Sequence, residues 1–226
     1  MGQRIELAAS LMCGDYRRLG DQIRELDAAG IDRYHPDVMD GHFVPNLGLG
    51  PELVAGIRGE TDKPFDAHLQ VSEPERFIDP FAAAGCETLI VHLESTIHLR
   101  RMIARIRSVG CAPGIALNPA TPIEALQYLY SDLAQVIVLT VDAGFQGQPF
   151  TDAALPKMAE VHRQLLEGGH SAVITADGSV NPGTIDRLVQ AGSRILVLGS
   201  TGLFGEPDFG AALARIRAQA EAAQAA

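Results

Sequence analysis

Residues 88–118, TLIVHLESTIHLRRMIARIRSVGCAPGIALN, contain the fold in miniature. A strand-sized apolar run, TLIVHLE (88–94), gives way to a helical stretch, HLRRMIARIRSVG (98–110), that stops on glycine. A second apolar run, PGIALN (113–118), follows. The same alternation extends both ways. Upstream lie IELAASLM (5–12), then YRRLGDQIRELDAAG, whose Leu19, Ile23 and Leu26 recur at three- and four-residue steps. RYHPDVMD (33–40) comes next, then a Pro/Gly/Asn-rich loop and a short helix near 51–58. FDAHLQV (65–71) precedes a helix expected from about Glu73, with Ser72 as its N-cap. Downstream, PIEALQYLYS reads as helix and QVIVLTV (135–141) as strand, with a helix around 152–167. AVITADG (172–178) is followed by NPGTIDRLVQAG, and RILVLGS (194–200) by a terminal helix to about 220.

Strands alternating with helices imply parallel pairing and right-handed crossovers. Eight such units, each of roughly 25–30 residues, predict a closed (β/α)8 TIM barrel rather than an open sheet. One domain is expected over 1–226, with the AQAEAAQAA end fraying after about 220.

The composition narrows the function. The chain has 226 residues, of which 46% are hydrophobic and 20% charged, enough apolar material for one core. With 18 basic and 28 acidic residues the net charge is −10, which argues against nucleic acid or an anionic membrane as partner. Cys13, Cys86 and Cys111 have neither disulfide-framework nor CxxC spacing and read as buried, reduced thiols. Arg4 and Glu6 interrupt the place where a signal peptide needs an apolar run, and VIVLTV is far too short to span a bilayer. A cytoplasmic location is expected.

In such a barrel the chemistry sits at the C-terminal ends of the strands. Those ends carry Ser10, His35 with Asp37, His68, His92 with Glu94, Asn118, Asp142, Asp177 and Gly199-Ser200. His35 and Asp37 are two apart, so both face one side of a strand. With His68 and Asp177 they make two imidazoles and two carboxylates converging on the barrel mouth. That set suits one divalent ion: zinc, iron(II), cobalt or manganese. The plainer alternative is that each histidine is a satisfied polar residue at the edge of the core. His98, His162 and His170 read as solvated, His42 as a loop residue and His92 as packing behind the site. Glu94 has no assigned task.

Glycines mark the other half of the site. GFQGQ (144–148), DGS (177–179) and LGSTG (198–202) follow three adjacent strands. Each is a tight turn in its own right, but together their backbone amides would cradle a phosphate without any Lys or Arg cluster.

Assembled, HPDVMDGHFVPN (35–46), DAHLQV (66–71), GIALNPATP (114–122), LTVDAGFQGQPF (139–150) and ADGS (176–179) resemble the signature blocks of the ribulose-phosphate 3-epimerase family, from Ser10 to about Phe204. The resemblance implies a metal-dependent isomerase inverting C3 of a phosphorylated ketose, without an organic cofactor. It implies that His35, Asp37, His68 and Asp177 are the metal ligands and that Asp37 and Asp177 are also the acid/base pair. Ser10 and His68 would contact the sugar. Gly144, Phe145, Gln146, Gly147, Gly178, Ser179, Gly199 and Ser200 would surround the phosphate and its neighbouring atoms. Met39, Gln70 and Leu139 would form the wall. Relatives commonly assemble as homo-oligomers, so a dimer or hexamer is expected by analogy.

Some positions depart from the family pattern. Gln70 and Leu139 stand where methionine is usual, Ala9 replaces proline, and DGS replaces DGG. Gln146 is unusual in its loop. SLMC (10–13), GQPF (147–150), DGS and GSTGLF (199–204) look closer to the D-allulose-6-phosphate 3-epimerase branch than to the pentose-phosphate branch. Both substrates stay open at this point. Two further readings are another phosphate-binding barrel isomerase or lyase acting through an enediolate, and a catalytically silent sugar-phosphate-binding barrel.

Overall fold

In chain order the strands are β1 (Glu6–Ser10), β2 (Arg33–His35), β3 (Asp37–Met39), β4 (Asp66–Gln70), β5 (Thr88–His92), β6 (Ala112–Leu117), β7 (Gln135–Leu139), β8 (Val173–Asp177) and β9 (Ile195–Leu198). The helices are α1 (Leu19–Ala28), α2 (Pro51–Arg58), α3 (Glu75–Ala83), α4 (Leu99–Ser108), α5 (Ala154–Glu167), α6 (Ile185–Gln190) and α7 (Phe209–Ala225). This computed structural model describes residues 4–226. The strands pair in parallel in the order β2-β1-β9-β8-β7-β6-β5-β4-β3, a TIM barrel with its helices outside.

Period-two alternation gives each strand its two faces. In β4, Ala67 and Leu69 join the large apolar layer beneath the helices, whereas His68 and Gln70 turn inward to Asp37 and Asp66 reaches Gln135 across the lumen. Full burial of a side chain such as Leu69 or Phe81 contributes about 1.5–3 kcal/mol each. Among the described residues the apolar clusters of the lumen are small, Ile90, Ala116, Ile137 and Leu139 on one side and Ala8, Ile195 and Val197 on the other. The remaining interior is polar, and that is where the site lies.

The expected second strand is split by Pro36, so the barrel has nine strands rather than eight. Proline has no N–H to continue a ladder. Before the proline the segment pairs with β1, and Tyr34 also bridges Phe65 just before β4; after it the segment pairs with β4, and His68 N–H donates to the Pro36 carbonyl at 3.0 Å. This one segment closes the ring. It also sets Ser10 beside His35 and Asp37 beside His68 in register.

Three local expectations are corrected. The segment 122–131 forms two short 3-10 turns, Glu124–Tyr128 and Tyr130–Asp132, instead of an α-helix. The tyrosines there favour a helix only weakly. Helix α3 starts at Glu75, because the residue before Pro74 is disfavoured in helical geometry. Ser72 caps nothing; its N–H donates to Asp40. At the other end of the chain, α7 continues to Ala225, past the helix end expected near 220. No helix among the described residues is long and apolar enough to cross a membrane.

Candidate active site

The strand ends bring His35, Asp37, His68 and Asp177 together, with one ligand atom from each lying within 4.8 Å of all the others. His68 Nδ1 is 3.4 Å from both Asp37 Oδ1 and Asp177 Oδ2. His35 Nε2 is 3.8 Å and 3.9 Å from the same two oxygens. Ligands about 2.1 Å from a tetrahedral ion sit about 3.4 Å apart, so the cluster is close to the size a divalent cation needs. His35 Nε2 is buried without a hydrogen-bond partner, which is rare for a polar atom. The donor set and that orphaned nitrogen fit a metal ion.

Each imidazole is held from behind. His35 Nδ1 lies 3.2 Å from Asp66 Oδ1, and Asp66 also accepts from Arg33 at 3.4 Å and Gln135 at 3.2 Å. His68 Nε2 lies 3.0 Å from His92 Nε2, whose Nδ1 is 3.1 Å from Glu94. Glu94, without a task on sequence grounds, is a fully engaged acceptor for Asn118 and Thr121 as well. Asp66 escaped the sequence reading although a signal existed: it lies two residues before His68 and so shares its face.

The carboxylates dominate the local electrostatics. Burial opposes a charge on His35, but Asp66, Asp37 and Asp177 outweigh it and lift its pKa to about 9. His68 is raised against the same burial penalty by Asp177 and Asp37. Burial pushes Asp177 upward, yet its contact with His68 and the nearby His35 bring it below the usual carboxylate range. For His92, burial dominates and the value falls to about 4.

Above these residues opens a cleft. Ser10, Met39, Gln70 and Leu139 line it together with Asp37 and Asp177, while His35 and His68 are fully buried beneath. Its rim holds Gly144, Phe145, Gln146 and Gly147 from the loop after β7, Gly178 and Ser179 after β8, and Gly199 and Ser200 after β9. Among the described residues, no Lys or Arg lines the cleft. Gly178 has φ 102° and Ser179 φ 46°, consecutive left-handed residues that turn the chain sharply at the rim. A β-carbon at Gly178 would lie 2.6 Å from Val141, so the turn needs glycine there. Ser179 is the one non-glycine with positive φ among the described residues, and its hydroxyl donates to the Gln148 carbonyl.

Other contacts were not foreseen. Met12, Cys13 and Gln148 also line the cleft. Cys13 is pushed up to about 11, first by burial and then by Asp37, so it stays a thiol. Asp40 accepts N–H bonds from His42, Phe43 and Ser72, and Asn46 donates to the Gly144 carbonyl at 2.7 Å. Much of the DGHFVPN block therefore holds loops rather than touching the floor of the cleft. His98 and His42 are exposed as expected, whereas His162 and His170 are half-buried, His170 against Tyr130.

A family model described as the ribulose-phosphate 3 epimerase family matches residues 6–204. The chain belongs to the ribulose-phosphate 3-epimerase family. It is an epimerase, an enzyme of the isomerase class acting on a phosphorylated sugar. The epimerase is 42% identical to the ribulose-phosphate 3-epimerase of Bacillus subtilis, over 94% of this chain and 98% of the relative. It is 36% identical to the ribulose-phosphate 3-epimerase of Escherichia coli, over 94% and 95%. Among solved structures, 3-hexulose-6-phosphate synthase superposes with TM-score 0.69 at 15% identity, covering 95% of the epimerase and 99% of that chain. Orotidine 5'-phosphate decarboxylase from Pyrococcus horikoshii gives 0.65 at 16%, covering 95% and 99%. At such identities these two speak only to the barrel fold.

Proposed function

We propose that the epimerase inverts C3 of a phosphorylated ketose through a cis-enediolate, using one divalent metal ion and two aspartates. The observation that carries this reading is the convergence of His35, Asp37, His68 and Asp177 below the cleft, with both carboxylates reaching its floor. Held by His35, Asp37, His68 and Asp177, the metal would supply Lewis acidity that lowers the cost of removing the C3 proton. Asp37 comes from β3 and Asp177 from β8, so the pair flanks the substrate plane. One takes the proton from one face and the other returns a proton to the opposite face. Ser10 Oγ donates to Asp37 Oδ2 at 2.8 Å and Gln70 Nε2 to Oδ1 at 3.0 Å, which fixes that carboxylate's orientation. Met39 and Leu139 give walls that cannot compete as bases. Backbone amides of the loops at 144–147, 178–179 and 199–200 hold the phosphate. No organic cofactor is required.

The names of the relatives favour D-ribulose 5-phosphate and D-xylulose 5-phosphate as the substrate pair. A second reading, D-allulose 6-phosphate and D-fructose 6-phosphate, is favoured by Gln70. Its buried Oε1 has no partner and can accept from an additional hydroxyl. Measuring kcat/KM on D-ribulose 5-phosphate and D-allulose 6-phosphate, after reconstitution with defined metals, decides between them. Turnover of neither by the metal-bound protein would sink the 3-epimerase reading for both. Gln70→Met is expected to shift the pentulose/hexulose ratio of kcat/KM by about tenfold, the scale of one lost hydrogen bond. An unchanged ratio would mean that Gln70 does not read the substrate.

Metal binding should be strongly pH-dependent. Below about pH 9 the metal-free protein carries a proton on His35 that a metal must displace. Zinc affinity is therefore expected to rise by about tenfold from pH 7 to 8 and by less from 8 to 9, with proton uptake by the buffer. Calorimetry at pH 7 in buffers of different ionisation enthalpy measures that proton, and heats independent of buffer would contradict the assignment.

A further inference from the structure

We propose that His92 and Glu94 are positioning residues that fix the tautomer of His68, so that its Nδ1 presents a lone pair to the cluster. The consequence for metal affinity rests on the metal-dependent reading above; the tautomer itself does not. Two ring nitrogens 3.0 Å apart, His68 Nε2 and His92 Nε2, must share a single proton, one donating and the other accepting. The ring planes are 14° from parallel with centroids 5.0 Å apart, and with the two Nε2 atoms only 3.0 Å from each other the facing nitrogens must lie between the rings rather than one ring over the other.

The direction of that bond is set at its far end. Glu94 Oε1 accepts from the Asn118 backbone N–H at 3.0 Å, from its Nδ2 at 3.3 Å and from Thr121 Oγ1. Every neighbour there is a donor, so residue 94 acts as an ionised acceptor. Its Oε2 faces His92 Nδ1 at 3.1 Å, and that nitrogen must carry a proton. Neutral His92 then has only a lone pair on Nε2, and His68 Nε2 must donate to it. Neutral His68 is left with its lone pair on Nδ1, the atom 3.4 Å from Asp37 Oδ1 and Asp177 Oδ2. Water cannot intervene to reverse the order. His92 is fully buried, and the Phe43 ring packs over it with a centroid distance of 4.7 Å. Only Glu94, with a side chain 26% exposed, touches solvent.

Glu94→Gln tests this with almost no change of volume. A carboxamide that keeps its oxygen on the Asn118 and Thr121 donors turns its NH2 toward His92. It then inverts both imidazoles, so that neutral His68 carries its one proton on Nδ1 instead of Nε2. In metal-free protein at neutral pH, 15N NMR is expected to find His92 protonated on Nδ1 in the wild type and on Nε2 in the variant. Zinc affinity should fall by about 10–100-fold, with the circular dichroism spectrum retained. In a His92→Gln background the new carboxamide oxygen reaches the place of the imidazole Nε2 and accepts from His68 whatever occupies position 94. There, adding Glu94→Gln should cost no further affinity. An unchanged His92 tautomer in Glu94→Gln overturns the proposal, as does an equal affinity loss in the His92→Gln background. A wild type that binds no zinc would instead remove the metal reading, while the tautomer measurement still decides the relay.

Discussion

Asp177→Asn is expected to reduce turnover by about four orders of magnitude or more while the barrel stays folded. The substitution removes two things at once. The carboxamide brings no negative charge to the cluster, and it cannot accept and return a proton at C3. Packing changes little, because Asp177 stands at the last position of β8 with its side chain 15% exposed and the carboxamide has nearly the same volume. Steady-state rates at saturating metal, together with a thermal melt, measure the two effects separately. Wild-type turnover with stoichiometric metal bound would mean that the proton moves without this aspartate. The two-base mechanism would then be wrong.

The second large effect is expected at Asp66, which never meets the substrate. Its carboxylate is fully buried and lies between His35 Nδ1, Arg33 and Gln135. Burial alone would raise its pKa, but His35 and Arg33 hold it below the usual carboxylate range. Asp66→Asn turns one of its acceptor atoms into a donor facing other donors and leaves Arg33 with Glu6 as its remaining anion. Breaking a buried charge pair from one side costs about 3–5 kcal/mol. The same change loosens the orientation of His35, for which a loss of about 10–100-fold in metal affinity is expected. Urea denaturation of the metal-free protein reads the first quantity and zinc titration the second. A variant with native stability and native affinity would make Asp66 a bystander.

Much of this architecture could be read before any coordinates. The strand-helix alternation and the parity of His35 and Asp37 led to a barrel whose floor gathers four ligand-type side chains, and the glycine-rich loops do rim one cleft. What stayed hidden depends on how the strands are staggered around the ring. Asp66 and Gln135 begin their strands, at the end of the barrel where core is expected. Only the three-dimensional tilt brings them together beneath His35. Glu94 and Asn118 likewise look like separate strand-end residues until the register brings them into hydrogen-bonding contact. Pro36 was visible, but the switch it causes, from pairing on both sides to pairing with β4 among the strands, was not, since a sequence does not say which neighbours a half-strand keeps.

That switch has a bearing on how the molecule comes into being. The segment around Pro36 is the seam at which the first strand meets the fourth, and His35 and Asp37 sit on either side of it. Until the segment has paired with both neighbours the sheet is open on one side, His35 and Asp37 lack either Ser10 or His68 beside them, and the floor of the cleft is incomplete. Completion of the ring and birth of the reaction centre are one event. A nascent or partly unravelled chain therefore does not bring His35, Asp37, His68 and Asp177 together, and competence arrives only with the finished barrel.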